Sequence, residues 1–441
     1  MNRSRSQPSL ALVAPFVVLG VVSGAPLLVG AAFTRAGASA PSAEEALKPS
    51  DHEALGKELA AYNEAWRKSK GVDKARENVS ASLEKIRKKV KSRDPLSLTE
   101  DLGKALWQSY EYESAKNVKK GKVSDVKYAE AEQGFDLTYA VWAPAKYDPK
   151  KAYPLIVCIP EKGEKPSQHL TEKWLSQDIR DHAILAVVPM PEDVAMWSDV
   201  GAQGKWGGGA NLFTVFREVR LTYAIDYDRV YIAGRGDGVA AATTIASRNP
   251  DRFAGVIGRT GDPADTPVEN FKNLPTFFAG AGAGATAFSE KCTKAGYENC
   301  TIKADGEEKD IWAWMQDHPR ISNPTQVVLL PGVQTGNKAY WLELPPWDGQ
   351  GTALVKGTID RASNTITIDG EGVAKVILYF NDVMVDLDKS VKVVCNGAEH
   401  LDVIPRNLST TLDLFMKTRS DPGKLYTATR PYDLPAKPKP K

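Results

Sequence analysis

The residues best placed for chemistry are Gly234-Arg235-Gly236-Asp237-Gly238, a glycine-bracketed turn that follows the apolar run Val230–Ala233 and opens onto small residues ending at Ser247. A strand that passes through such a turn straight into a helix lifts the central side chain clear of the backbone, where a nucleophile can attack a carbonyl. The bracketing glycines are required because strand and helix crowd the turn. Here the central residue is Gly236, which offers only a hydrogen. Reading Asp237 as a carboxylate nucleophile shifts the frame by one and puts Arg235 and Val239 where small residues are needed. A second reading takes Gly234 and Gly236 as the G-x-G of a phosphate cradle with Asp262 as the downstream acid. Against it, Val239 holds the third glycine's place and the unit is not the first strand–helix pair of its sheet. Arg235-Gly236-Asp237 also spells an adhesion tripeptide, a three-letter match at a turn expected to be buried.

Acyl transfer needs a base beside the nucleophile and a group to orient that base. His318 ends a helical stretch before Pro319, where interaction with the helix dipole is the simpler role. His169 and His182 flank a helix predicted over Thr171–Arg180, with Ser167, Ser176 and Ser198 nearby, yet no spacing ties a serine to a base. Trp174, Trp197 and Trp206 could line a pocket or fill the core. Glu307 and Glu308 are candidate acids, or solvated loop carboxylates.

The elements that must position these residues can be read from periodicity. From Glu44 to Lys116 apolar residues recur at helical spacing (Leu55, Leu59, Tyr62, Trp66; Val79, Leu83, Ile86, Val90; Leu102, Leu106, Tyr110), predicting two or three amphipathic helices. Beyond Lys122, strands are expected at Leu137–Trp142, Leu155–Ile159, Ile184–Val188, Val230–Ala233, Phe253–Ile257 and Thr276–Ala279. Helices are expected at Leu212–Tyr223, Gly238–Ser247, Ala287–Lys294 and Asp310–Asp317. Apolar strands alternating with helices imply a mostly parallel sheet covered on both faces. From Thr325 to Gly397 the pattern is purely β and predicts a small sandwich-like module, followed by a helix at Leu408–Lys417.

The chain has 441 residues, 42% of them hydrophobic, which suits a globular protein of two to four domains. Its 57 Lys+Arg against 55 Asp+Glu leave a net charge of +2, so no global field draws nucleic acid. Four scattered cysteines and five histidines give no metal-ligand spacing, and no cofactor is called for. Arg3 and Arg5 precede an apolar run, Leu10–Val22 at its strongest, and Ala38-Ser39-Ala40 follows, the pattern of an export leader or an uncleaved membrane anchor. Export would permit a Cys292–Cys300 bridge.

The stretch Asp228-Arg229-Val230-Tyr231-Ile232-Ala233-Gly234-Arg235-Gly236-Asp237-Gly238, continued by Asn249-Pro250-Asp251-Arg252-Phe253, resembles the α/β-hydrolase superfamily, particularly its secreted esterase, dienelactone-hydrolase and depolymerase-like members. The resemblance runs over roughly Phe135–Arg320. Tyr153–Pro160 is similar to the strand before the oxyanion loop, and Trp206-Gly-Gly-Gly-Ala-Asn211 to a glycine-rich loop before the helix that precedes the elbow. Leu274–Gly280 is similar to the strand presenting the acid, and Cys300–Asp305 to the strand before the catalytic His. Phe380–Asp388 and Val391–Gly397 are similar to β modules appended to secreted bacterial esterase-like proteins.

Position by position, the family's machinery is missing. Gly236 stands at the nucleophile, Gly280–Thr286 holds no carboxylate, no His lies near Gly306–Lys309, and the oxyanion loop reads Pro160-Glu-Lys-Gly163. The resemblance therefore implies a vestigial elbow at Gly234, Gly236, Asp237 and Gly238 and a cleft bordered by Glu161, Trp206, Arg235, Glu307 and Glu308. The expected organisation is a leader or anchor over 1–40, a helical region over 41–122, an α/β-hydrolase-like domain over 123–322, a β module with a final helix over 323–430 and a disordered tail over 431–441. The expected function is a non-catalytic pseudo-esterase of the bacterial cell envelope, binding an unidentified ligand or protein and not nucleic acid. An active esterase or peptidase-like hydrolase with a relocated nucleophile, and a structural envelope protein, are the alternatives.

Overall fold

The computed structural model describes residues 47–437 except 92, 115, 131–134, 200, 203–204, 333–335, 347–351 and 419–420. The expected leader or anchor over 1–40 lies outside the described residues. No helix among the described residues is long and apolar enough to cross a membrane.

Eight strands form the main sheet: β1 Val123–Glu130, β2 Phe135–Trp142, β3 Tyr153–Ile159, β4 Ile184–Val187, β5 Ile225–Arg235, β6 Gly255–Arg259, β7 Thr276–Ala279 and β8 Cys300–Lys303. Their order is β1-β2-β4-β3-β5-β6-β7-β8. From β4 to β8 every neighbouring pair is parallel, whereas β2 runs antiparallel to both β1 and β4. Leu155, Val157, Ile159, Val230 and Ile232 face one way and Ile156, Cys158, Tyr231 and Ala233 the other, so the two central strands are buried on both faces.

Three helices precede the sheet, α1 Pro49–Arg67, α2 Val72–Lys89 and α3 Thr99–Gln108. Within the sheet region follow α4 Pro166–Lys173, α5 Gln177–His182, α6 Gly208–Thr222, α7 Asp237–Ser247, α8 Ala283–Lys294 and α9 Glu308–Asp317. Leu212, Val215, Ile245 and Phe288 place α6, α7 and α8 on one face. Leu170, Ile179, Ile311 and Met315 place α4, α5 and α9 on the other. This is the α/β class the sequence indicates, with a mostly parallel sheet between two helical layers.

The helix expected over Thr171–Arg180 is two helices. Trp174 breaks it, leaving the helical region (φ −125°, ψ 82°) to bury its indole, while Arg180 caps the broken end by donating from Nε to the Trp174 carbonyl at 2.6 Å.

The C-terminal part is a sandwich of two sheets. One contains β9 Gln326–Leu329, β12 Leu354–Asp360, β13 Thr365–Glu371, β15 Val391–Cys395 and β16 Ala398–Asp402. The other contains β10 Lys338–Ala339, β11 Leu342–Glu343, β14 Lys375–Phe380 and β17 Ala428–Asp433. Alternating residues such as Val355, Ile366, Ile368, Leu378 and Val393 fill the space between them. The tail expected from residue 431 overlaps β17. Tyr432 and Leu434 are buried in this core, and Pro431 is tolerated because β17 is an edge strand.

The last helix, α10 Leu408–Lys417, does not pack only on the sandwich. Leu412, Phe415 and the following Leu425 join Leu55, Leu59, Leu83, Leu102 and Leu106 in one apolar core. There the buried His52 meets Asp101 at 2.7 Å and ties α1 to α3.

Candidate functional site

The C-terminal end of β5 delivers the chain into the glycine turn. Gly238 leaves no room for a side chain, since a Cβ would stand 2.6 Å from the Ile159 carbonyl and 2.8 Å from that of Pro160. Gly236 has φ +52° and ψ −123°, a conformation that L side chains adopt only under strain. Its N–H donates to the Arg259 carbonyl at 3.1 Å, which fixes the turn against the end of β6. The strand thus turns at Gly236 directly into α7, which starts at Asp237, one residue earlier than its sequence pattern indicates.

The space above Gly236 is filled. A Cβ built there would lie 2.6 Å from both Cγ and Oε1 of Glu161, whose Oε2 accepts a hydrogen bond from Arg235 Nη1. Two predicted cleft residues are therefore brought together as an ion pair over the elbow. The Glu161 backbone N–H, on the loop expected to supply an oxyanion donor, is bonded to Glu164 Oε2 at 3.2 Å. In this arrangement neither a nucleophile nor that donor is presented.

Glu164 also holds His169. Its Oε2 lies 2.7 Å from His169 Nδ1, and Trp174 Nε1 donates to His169 Nε2 at 3.2 Å. Because Nε2 accepts, the imidazole proton sits on Nδ1 and the ring is neutral. Burial pushes the His169 pKa below its ordinary value, against the opposing pull of Glu164. Both nitrogens are occupied, so the ring is buried scaffolding in this state.

The remaining candidates have structural partners. Glu308 accepts from Arg259 Nη2 at 3.0 Å, and the Arg259 guanidinium lies 4.6 Å from the centre of the Trp174 ring. Glu307 caps α9, its N–H bonded to Asp310 Oδ2 at 2.9 Å, and its carboxylate pairs with Lys309 at 2.7 Å. Trp206 is half-buried in a two-residue ribbon with Gly201, while Trp197 is buried with its indole N–H on the Pro191 carbonyl. His318 Nδ1 lies 2.7 Å from the Trp314 carbonyl at the end of α9, and His182 Nδ1 lies 2.9 Å from the Asp178 carbonyl. Ser176 contributes its backbone N–H to Glu308. Cys292 and Cys300 are free thiols. The cleft expected to unite Glu161, Trp206, Arg235, Glu307 and Glu308 resolves into these separate contacts.

Sequence reasoning missed the parts played by Glu164, Arg259 and Asp262. Asp262 Oδ1 accepts from the N–H groups of Gly282 and Ala285 at 3.0 and 3.1 Å, capping α8 beside the glycine-rich segment where an acid was expected. Glu164 acts within its own loop and α4, on Glu161 and His169, whereas Arg259 and Asp262 reach residues 20 or more positions away, beyond the range of a local motif. Among the described residues, cavities lie away from the elbow. A small apolar one lies among Leu55, Leu83, Leu106 and Phe415. An open one of about 280 Å³ lies at the opposite end of β5, lined by Trp107, Lys150, Asp226, Asp228 and Pro422. Burial raises the Asp226 pKa there, and the neighbouring Asp228 adds to the shift.

No protein-family model matches the chain, and no curated protein matches it in sequence. Solved structures to which it is similar are esterases and serine hydrolases. A thermostable esterase is 17% identical at a TM-score of 0.36 over 45% of this chain, which spans 64% of that protein's length. A ferulic acid esterase is also 17% identical at a TM-score of 0.36, over 45% of this chain and 96% of its own. An S-formylglutathione hydrolase from Staphylococcus aureus is 10% identical at a TM-score of 0.35, over 45% of this chain and 96% of its own.

Proposed function

We propose that this protein is a hydrolase-fold protein without acyl-transfer activity, a pseudo-esterase that works through binding or assembly. The observation that carries this reading is the filled elbow: Glu161, locked to Arg235, takes up the volume a nucleophilic side chain would need above Gly236. Nucleophile, base and orienting acid act as a unit, and losing one member removes most of the rate. At this elbow the first member is a hydrogen, and the imidazole nearest in the hydrogen-bond network, His169, is committed to Glu164 and Trp174.

The setting we propose is the bacterial cell envelope, reached through the basic-then-apolar N-terminal segment, with release or anchoring as its two outcomes. The partner is an unidentified ligand or protein, and the near-zero net charge supports no nucleic-acid role. The test incubates the full chain with short-chain aryl esters and a fluorophosphonate probe. Neither turnover nor labelling above a heat-denatured control is expected. A serine that labels in proportion to ester turnover overturns the proposal.

A further inference from the structure

Helix α2 buries Ala75, Val79, Leu83 and Ile86 in the helical core, and Val90, just beyond its end, joins them. What it leaves outside is lopsided in charge. Six of the nine residues from Lys85 to Arg93 are basic and none is acidic, in a chain whose net charge is only +2. One or two cations in the last turn suffice to complement a helix dipole, so this run exceeds what the dipole uses.

The acids at this end of the α1–α2 pair are already engaged. Asp51, in the first turn of α1, pairs with Lys89 and accepts from the Lys48 N–H. Glu84 pairs with Arg87 at 3.4 Å, Glu53 with Lys57 at 3.7 Å and Asp94 with Arg406 at 3.8 Å. Lys48, Lys85, Lys88, Lys91 and Arg93 are exposed and have no acidic partner among the described residues. Lys85 stands three positions before Lys88 and four before Lys89, spacings at which like charges on a helix repel. Five free cations at one end of two packed helices weaken the fold by that repulsion, and an anionic surface relieves it.

The same end receives the chain from its N-terminal side, because the Asp51–Lys89 pair sets the start of α1 against the last turn of α2. Between the apolar run that reaches Phe33 and Leu47 stand only residues 34–46, a reach of at most about 50 Å when fully extended. An apolar segment seated in a bilayer delivers this basic end to the headgroup layer. Clustered Lys and Arg on an amphipathic helix near such a segment are attracted there by anionic lipid.

We propose that the basic end of α2, Lys85–Arg93 together with Lys48, docks on an anionic phospholipid surface. The ammonium and guanidinium groups meet phosphate oxygens in charge-assisted hydrogen bonds. The apolar side of α2 stays in its own core, so no part of the fold has to open. The inference rests on the envelope setting proposed above and not on the state of the elbow.

The test incubates the full chain with vesicles of phosphatidylcholine alone or of phosphatidylcholine mixed with phosphatidylglycerol. A water-soluble amine-acylating reagent is then added and the modified lysines are mapped by mass spectrometry. Lys85, Lys88 and Lys91 are expected to be shielded by the phosphatidylglycerol vesicles and not by the neutral ones, while Lys294 and Lys356, exposed elsewhere, react equally with both. The combined Lys85→Gln, Lys88→Gln and Lys91→Gln variant is expected to lose on the order of 100-fold in its preference for anionic over neutral vesicles at low salt. Its urea midpoint is expected to hold or rise, since all three positions are exposed and mutually repelling. Salt at about 1 M, where the Debye length falls to about 3 Å, is expected to abolish the shielding. Equal shielding by both vesicles, or none by either, overturns the proposal, as does a preference that the triple variant keeps. Shielding by inorganic phosphate without vesicles assigns the cluster to a soluble anion and also overturns it. Flotation of the chain with neutral vesicles reports the N-terminal apolar segment separately, so the envelope setting and this contact can fail independently.

Discussion

The Glu161 carboxylate lies over Gly236 with its Oε1 only 2.6 Å from where a Cβ would project, so the turn and its occupant form one unit. Arg235, adjacent in sequence to Gly236, holds that carboxylate in place. The elbow is therefore closed by its own neighbours.

Replacing Gly236 with serine forces Glu161 aside and puts a Cβ at φ +52°. Gly236→Ser is expected to cost about 1–3 kcal/mol in urea unfolding. In a Glu161→Ala background the added cost shrinks, giving a coupling of about 0.5–3 kcal/mol in the double-mutant cycle. Neither variant is expected to gain aryl-ester turnover, because the His169 imidazole stays committed to Glu164 and Trp174. A strictly additive cycle would show that Glu161 does not occupy the site in solution.

His169 gives acid sensitivity of defined sign. Its folded pKa is below the ordinary 6.5, so on acidification the unfolded chain takes up a proton that the folded protein resists. The stabilisation is complete above 6.5 and is lost as pH falls toward the folded pKa. The urea midpoint is expected to drop between neutrality and pH about 5, and His169→Gln to flatten that drop. An unchanged slope in the variant rules the imidazole out as its source.

Arg320 joins three parts of the chain. Its Nη1 and Nη2 engage Asp421 at 2.7 and 2.8 Å, its Nε engages Asp228 at 2.9 Å, and Nη1 also reaches the Asp251 carbonyl. Burial would raise the Asp421 carboxyl, but the guanidinium outweighs it and holds the pKa low. Arg320→Met leaves that buried carboxylate without its two-pronged partner, with only Lys424 and the Gly423 N–H beside it, an expected loss of about 3–5 kcal/mol by chemical denaturation. Arg320→Lys recovers only part of it, since an ammonium cannot reproduce the two-pronged contact.

Lys424 produces a trend at alkaline pH. Burial lowers its pKa from 10.5 to about 8 despite Asp251 and Asp421. Between those values the unfolded chain holds the proton and the folded protein does not, so this group's contribution to stability rises with pH across that window. Urea titrations across it should rise less steeply in Lys424→Met than in the parent protein.

Where the sequence was readable, a short-range constraint made it so. Gly234 and Gly238 announce the turn because strand and helix cross there at contact, and the apolar runs of β3 and β5 announce a sheet covered on both faces. What escaped reading was settled at long range. Glu161 and Arg235 are 74 positions apart, and nothing near either predicts their pairing. Trp174 breaks a helix because a pocket formed by His169 and Arg259 accepts its ring. The strand Ala428–Asp433 was missed because Pro431 and Arg430 suggest a loop, a signal that its edge position overrides. Val123–Glu130, with Val126 and Tyr128 partly buried on one face and Val123 on the other, carries too faint an alternation to be noticed.

The union of α10 and Leu425 with α1, α2 and α3 leaves those three helices, made long before α10, waiting on it to finish packing. Until synthesis has passed residue 425, Leu55, Leu83 and Leu106 lack a wall of their core, and closing it joins segments more than three hundred residues apart. During that interval the nascent amino-terminal helices carry an incomplete apolar surface, and a chaperone that shelters emerging polypeptides has a defined place to hold.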